Sequence, residues 1–518
     1  GLGGELWRRR LDAALGDDAH LISHEGIPAN GSNAWAVGGG RTASGRPLVA
    51  GDPHRVIEQP GVYAQVRLAC EDPEDPAERC DVLGFAFPGV PGVQHFAHAG
   101  DVAWAITNAA ADYQDLYDEQ TPPRDVVLER TETVLVRAEH GMRRVEVDVV
   151  ATERGVLLEP GLSLRDASTV LGDVGFEALL PLLRARTVDD VDAALDHWVA
   201  PVNNVVVADV HGTVRYRIAG RVPTRDGTTW TGWVTPPRHD VASDGQVVTA
   251  NERRGPESDA IGTSFAPPHR ARRIAELLGD RRDLTPADFT AILDDAVLGT
   301  APALVSLVPG AFDDFDGRMV AGSVAAGRFA AWRSALVRRL VERPELAALF
   351  DPPAEHRHDA VFDAFLDPTH RVALSLPTLA AARTPCGIDL AALARAALDE
   401  VDAREPVAWG ATHVFAPVHA VPEVDAGDLP RPAVSGDSDC VRCTSSYPAQ
   451  TDVCSRGSVA RYVWDLADRT AGGWVVPTGA SGVPGDPHHA DQLDAWAGGE
   501  LLPIVTDWDL LTPVDLGR

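Results

Sequence analysis

Residues 30–55 read NGSNAWAVGGGRTASGRPLVAGDPHR. A small, flexible Gly31 stands directly before a hydroxyl residue, Ser32, and an apolar run that reads as a strand follows. Backbone free to bend at Gly31 lets the Ser32 hydroxyl attack the preceding carbonyl. Hydrolysis of the resulting ester leaves Ser32 with a free α-amine beside its own hydroxyl. The reference pKa of an α-amine is about 7.7–8, which suits it as general base for that hydroxyl. A Gly-Ser pair ahead of a strand is also an ordinary turn, so the pair by itself leaves both readings open.

Outward from this stretch the pattern changes twice. Residues 1–31 carry an amphipathic helical pattern around Leu6–Leu15 and then a loop, HEGIPANG. From Ser32 to about Asp118, WAVGG, RPLVAG, GVYAQVRLAC, VLGFAF and DVAWAITN are short apolar, often alternating runs punctuated by Gly and Pro, which predicts strands. Residues 131–160 predict a hairpin turning at His140-Gly141, and VNNVVVADVHGTVRYRIAG another at His211-Gly212, preceded by two helices around 175–198. Residues 269–350 are rich in Ala and Leu at helical spacing, and after residue 405 strands return in VARYVWDLAD and GGWVVPTG. Sheets at both ends with helices between predict one α+β body with a helical excursion at about 269–400.

Composition bounds the function. Of the 518 residues 45% are hydrophobic and 24% charged, as in a soluble globular protein. The formal charge of −30 argues against nucleic acid, because phosphate binding needs a basic surface. All 46 basic residues are arginine. No run approaches the ~18 consecutive apolar residues of a membrane helix. The six cysteines are Cys70, Cys80, Cys386, Cys440, Cys443 and Cys454. Cys70 and Cys80 bracket the polar stretch EDPEDPAER, a candidate disulfide-closed loop in a secreted, periplasmic or extracellular protein. Six free thiols is the alternative. Cys440-Val-Arg-Cys443 suggests half a zinc site, but no second pair follows at ribbon spacing, and a disulfide is the expected fate. The chain starts at Gly1 rather than methionine, which suggests a processed or truncated piece of something longer.

Ser32-Asn33-Ala34-Trp35, Arg41-Thr42-Ala43-Ser44-Gly45 and Asp52-Pro53-His54 resemble the start of the β chain of the penicillin acylase family. Further matches fall in order: PGVPGV at 88–93, VAWAITN at 102–108, DYQDLY at 112–117, PVNNVVVADVHG at 201–212, TAN at 249–251, HRARRIAELL at 269–278, WGATHVF at 409–415 and SGVPGDPHHADQLDAW at 481–496. The resemblance implies the N-terminal nucleophile hydrolase fold, four layers in αββα order. Residues 1–31 become the end of an α chain with its spacer, and 32–518 the β chain. It also implies a zymogen cut between Gly31 and Ser32, whose own α chain stays as partner. The activity implied is hydrolysis of the amide bond of a small N-acyl compound, such as a β-lactam side chain or an acyl-homoserine lactone, with no organic cofactor.

By the same resemblance Ser32 is the nucleophile, and the Asn108 N–H and Asn251 side chain form the oxyanion hole. Arg270 orients the asparagine or substrate. His54 stands where the cephalosporin and acyl-homoserine lactone acylase branches carry histidine, with Asp465 as its possible acidic partner. Asp112, the Gln114 carbonyl, Asp115, the Pro223 carbonyl and Asp259 match a structural calcium site, chemistry that suits a hard cation. Three departures stand beside these matches: only 31 residues precede Ser32, Ala97-His98-Ala99 lacks a supporting asparagine, and the cysteines are not a family feature. They motivate a rival reading, a catalytically silent secreted binding or scaffold member. A zinc hydrolase on Cys440, Cys443 and His488 is a third. His488-His489 beside Asp486 and Asp491 read as a loop rather than a metal cluster.

Overall fold

Strict alternation along Gly31–Val37 sets the layering. In the computed structural model, Ala34 and Ala36 enter one apolar core while Trp35 and Val37 enter another on the opposite side. The neighbouring strand, Leu48–Val56, divides in the same way: Val49 joins the first core, Leu48 and Ala50 the second. Successive strand side chains point to opposite faces, so a strand apolar on both faces must be covered on both. The structure describes residues 2–22, 31–71, 74, 79–138, 140–352, 358, 362, 366–382, 384–421 and 429–513.

The first sheet has eight strands, in the order Gln246–Thr249, Gly31–Val37, Leu48–Val56, Arg461–Asp465, Gly473–Val475 and Leu502–Pro503. Thr451–Ser458 also pairs with Leu48–Val56 and carries Thr444–Tyr447 on its far side. The second sheet orders seven strands as Arg238–Val241, Val214–Ala219, Asn203–Asp209, Val102–Asn108, Ala97–Ala99, Cys80–Ala86 and Ala64–Cys70. The two sheets pack face to face through Ala34, Ala36, Val49, Trp104 and Val205–Val207. Helices His269–Leu278 and Pro286–Leu293 cover the first sheet, and Leu179–Arg184 and Val188–Leu195 the second. The result is the αββα order that the resemblance implied.

Two of these helices begin on reciprocal caps. Thr187 and Asp190 at one, and Thr285 and Asp288 at the other, exchange side-chain and backbone hydrogen bonds. Each cap satisfies donors the helix cannot and contributes about 1 kcal/mol. Helices between Ala301 and Asp402 build their own core around Phe329, Trp332 and Leu336, which also takes Leu6, Trp7 and Leu11 from the N-terminal helix Leu2–Leu15. A third, five-stranded sheet ends in the long hairpin of Val126–Ala138 and Gly141–Thr152, most of it exposed. The loop 24–30, expected ahead of Gly31, lies outside the described residues.

The cysteines correct one expectation. Cys440 and Cys443 are not bonded to each other and point to different neighbours. The Cys440 thiol meets the Ala296 carbonyl at 3.3 Å, whereas Cys443 meets the Ser438 carbonyl at 3.7 Å. The turn between them carries one cysteine into the helical core and the other toward the first sheet. Cys70 and Cys80 are register partners at the sheet edge with sulfurs 2.6 Å apart.

Candidate active site

Ser32 sits near the start of its strand and is buried, and each of its polar atoms is engaged. Its backbone N–H donates to Asn251 Oδ1 at 2.7 Å, and its hydroxyl donates to the Gly31 carbonyl at 2.5 Å. The Ser32 carbonyl accepts from Arg270 Nη1 at 2.8 Å. The hydroxyl therefore lies against the carbonyl it would have to attack. Gly31 is fixed by space: a Cβ there would stand 3.1 Å from Arg270 Nη2 and 3.2 Å from His54 Nδ1.

Asn251 adopts φ +71°, a left-handed backbone that asparagine tolerates better than most residues and that tends to persist at functional positions. Two donors fix its amide. Ser32 N–H and Arg270 Nη2, the latter at 3.1 Å, both meet Oδ1, which leaves Nδ2 to donate to the Asn108 carbonyl at 2.8 Å. Asn108 ends the strand Val102–Asn108, and its carbonyl also accepts from Asn204 Nδ2 at 3.3 Å. Asn204 is held in turn by the Tyr216 hydroxyl at 2.7 Å. The two sheets thus meet at one end through Asn251 and Asn108.

Arg270 enters from the first turn of His269–Leu278 and is buried. Besides Ser32 and Asn251 it reaches Asn33 Oδ1 at 2.7 Å and the Ala250 carbonyl at 2.9 Å, so one guanidinium ties two adjacent strands together. The far end of that helix is held by Arg41, which donates to the carbonyls of Leu278 at 3.0 Å and Gly279 at 2.5 Å. A cation on the last helical carbonyls satisfies orphan acceptors and complements the helix dipole.

His54 pairs in register with Gly31 on one side and Ser458 on the other. Its Nε2 meets Asp52 Oδ2 at 2.8 Å, and Asp52, two residues back on the same strand face, is fully buried. Asn33 Nδ2 donates to Asp52 Oδ1 at 2.8 Å and to the Val441 carbonyl at 2.9 Å, and the Ser458 hydroxyl donates to Asp52 Oδ2. Ser458 N–H bonds the Cys443 carbonyl at 3.1 Å, and the buried Cys443 thiol interacts with the His54 ring. Burial opposes the charged ring, but Cys443 and Asp52 outweigh it and lift His54 to about 9. Burial likewise opposes the thiolate, and His54 outweighs it to lower Cys443. Each of the two shifts the other toward its charged form.

Ser32, Asn108, Asn251, Arg270, Gly31 and His54 come together. Asp465 does not join them. It pairs with Leu48, at the other end of the strand from His54, and accepts from Ala467 N–H at 2.8 Å. Six residues of strand separate those positions, about 20 Å. The acidic partner of His54 is Asp52, and the Asp-x-His spacing on a strand carried that signal. Asn33, Cys443 and Ser458 were not assigned beforehand. Asn33 lay inside the quoted motif, whereas Cys443 and Ser458 reach His54 only through strand pairing.

Three of the five residues expected around calcium, Asp112, Asp115 and Pro223, meet an arginine instead. Arg225 Nε and Nη2 donate to the two Asp115 carboxylate oxygens at 2.8 and 3.0 Å. Nη2 also reaches the Asp112 carbonyl at 2.7 Å and Nη1 the Pro223 carbonyl at 3.2 Å. Asp259 is bonded to Arg253 and its side chain is 75% exposed. Among the described residues no group of three or more His, Cys, Asp or Glu is placed to hold a metal ion. His488 is an exposed partner of Asp491, and His489 meets Gln59, so neither approaches Cys440 or Cys443 as the zinc reading requires.

Comparison with known proteins places the chain. The penicillin amidase family model matches residues 2–512, and the chain belongs to that family. It is 32% identical to the penicillin acylase 2 proenzyme of Pseudomonas sp. (strain SE83), over 96% of this chain and 69% of that protein. It is 25% identical to the acyl-homoserine lactone acylase QuiP of Pseudomonas aeruginosa, over 93% of this chain and 67% of that one. The fold is shared with a thermostable penicillin G acylase from Alcaligenes faecalis, at a TM-score of 0.64, 15% identity, and 94% and 99% of the two chains. The protein is an amidohydrolase of N-acyl compounds, and the silent-scaffold reading is not favoured.

Proposed function

We propose that the chain is activated by its own Ser32 and then uses that residue to hydrolyse a small N-acyl amide. The observation that carries the reading is the Ser32 hydroxyl, 2.5 Å from the Gly31 carbonyl oxygen, with its own N–H held by Asn251. In the first step Oγ attacks the Gly31 carbonyl carbon, the Gly31–Ser32 C–N bond breaks, and the departing nitrogen takes the hydroxyl proton. Water then hydrolyses the ester and leaves a Gly31 carboxylate and a free Ser32 α-amine. That amine is the general base for the hydroxyl beside it.

In the second reaction Ser32 Oγ attacks the substrate carbonyl while the α-amine takes its proton. The oxyanion is held by Asn251 Nδ2 and the Asn108 N–H, the proton passes to the leaving amine, and water hydrolyses the acyl-enzyme by the reverse relay. Arg270 holds Asn251 and the strand of Ser32 in register. His54, protonated against Asp52 and Cys443, places positive charge beside the Gly31–Ser32 junction and favours the neutral form of the new amine. The freed N-terminal segment stays as a noncovalent partner through Leu6, Trp7 and Leu11.

The acyl group we assign is aliphatic or dicarboxylic rather than phenylacetyl. His54, at a position where the cephalosporin and acyl-homoserine lactone acylase branches carry histidine, motivates that assignment. We place the protein outside the cytosol, where an oxidising milieu would close Cys70–Cys80, the adjacent register pair.

Mass spectrometry of the purified chain tests the activation step. A fragment beginning Ser-Asn-Ala-Trp is expected from the wild type, and only intact chain, without amidase activity, from Ser32→Ala. An uncut, fully active wild type would end the reading. Rates on penicillin G, a glutaryl-cephalosporin and a long-chain acyl-homoserine lactone test the acyl group, and a clear preference for penicillin G overturns that part alone.

A further inference from the structure

We infer that Arg225 is a built-in cation that takes the place of a bound calcium ion, so that this chain closes the corresponding site without a metal. Residues matching the family's ligand positions form the cradle, but its centre is filled by a side chain. Four hydrogen bonds from one guanidinium reach Asp115, the Asp112 carbonyl and the Pro223 carbonyl, between 2.7 and 3.2 Å. The grip on Asp115 is bidentate, a geometry arginine is shaped for.

The surrounding side chains are also engaged. Asp115 Oδ2 accepts a second donor, Trp230 Nε1 at 2.5 Å, and Asp112 Oδ2 accepts from the Thr263 hydroxyl at 2.9 Å. The Gln114 side chain spans from Leu2 N–H, at 3.1 Å, to Asp166, at 3.1 Å. Calcium asks for six to eight oxygens at ~2.3–2.6 Å. Here two carboxylates are close, one is already neutralised, and the third expected carboxylate, Asp259, bonds Arg253. A divalent ion entering this shell would face the fixed positive charge of Arg225.

The position gives the clasp a purpose. Asp112 lies four residues beyond Asn108 and bonds the Ile261 carbonyl through its N–H at 2.8 Å, while Asp115 is the second residue of Gln114–Asp118, a strand of the third sheet. Arg225 therefore anchors the chain as it leaves the Asn108 carbonyl that Asn251 grips. The inference concerns this clasp and stands whichever acyl group the site accepts.

Calcium titration of the chelator-treated wild-type protein, by calorimetry and by thermal melting, tests it. No saturable binding and no rise in melting temperature are expected. The Arg225→Ala variant vacates Asp115 and both carbonyls. It is expected to melt about 1–3 °C below the wild type, the scale of losing one partly exposed network in a chain of this length, and to recover part of that loss in calcium chloride but not in magnesium chloride. One-to-one calcium binding that raises the wild-type melting temperature overturns the proposal. So does an Arg225→Ala chain that melts with the wild type, or one whose lowered melting point ignores calcium. Should Arg225→Ala fail to fold, the wild-type titration decides by itself.

Discussion

His54 shows how much one residue's state depends on its neighbours in space. Burial alone would keep the ring neutral, yet Cys443 and Asp52 raise it to about 9. An opposite charge within about 4–6 Å typically moves a pKa by 1–3 units. Histidine resonances in a 13C-labelled sample should therefore show His54 protonated to near pH 9, with Asp52→Asn lowering it by about 1–3 units and Asp465→Asn leaving it in place. An equal response to both substitutions would contradict the assignment of Asp52. A raised histidine stabilises the fold below its unfolded value of about 6.5 and loses that contribution as pH rises through 9. The lowered Cys443 works in the opposite sense, since it gives up a proton that the unfolded thiol keeps to about 8.5. The two shifts act on stability in opposite senses, so the titration, rather than a melting curve, is the informative measurement.

At the scale of the element, the third sheet depends on a single carboxylate. Glu119, just past the strand Gln114–Asp118, accepts from Arg154 Nε at 2.9 Å and from the Thr152 and Ser163 hydroxyls, both at 2.8 Å. Arg154, outweighing burial, holds it down to about 2. Its folded value lies below the unfolded value of about 4.3, so the stabilisation is present above that value and fades as pH falls toward 2. Amide exchange in Leu162–Asp166 and Gly141–Thr152 is expected to accelerate between about pH 4 and 2, and Glu119→Gln should bring that faster exchange to neutral pH. Unchanged exchange in the variant would show that the ladder hydrogen bonds suffice. The helix His269–Leu278 has a comparable dependence at the active site. Arg41 grips its C-terminal carbonyls while Arg270, in its first turn, reaches Ser32.

Over the whole molecule, the candidate site lies where two sheets converge. The first sheet supplies Ser32, Asn33, Asp52 and His54, and the segment just after its edge strand Gln246–Thr249 supplies Asn251. The second supplies Asn108 and Asn204. Helices outside the first sheet deliver Arg270, and the separate core of helices between Ala301 and Asp402 holds the N-terminal helix against the body. No helix of the described residues is long and apolar enough to cross a membrane. Within an overall charge of −30, arginines engage carboxylates at Asp81, Asp192 and Glu400.

The α+β class was legible in the strand and helix patterns along the chain, which are local properties, while the αββα layering came with the resemblance that begins in residues 30–55. Ser32, Asn108, Asn251 and Arg270 were pointed to by that resemblance, through motifs of a few residues each, and the fold brings the four together. The partner of His54 was misread as Asp465, because strand register decides which carboxylate meets a ring and register is set by pairing across the sheet. Cys443 beside His54, and Arg225 at the centre of the expected calcium shell, join positions far apart in sequence. Only packing brings such side chains together, and a charge already in place decides whether the same ligand residues face an ion or a guanidinium.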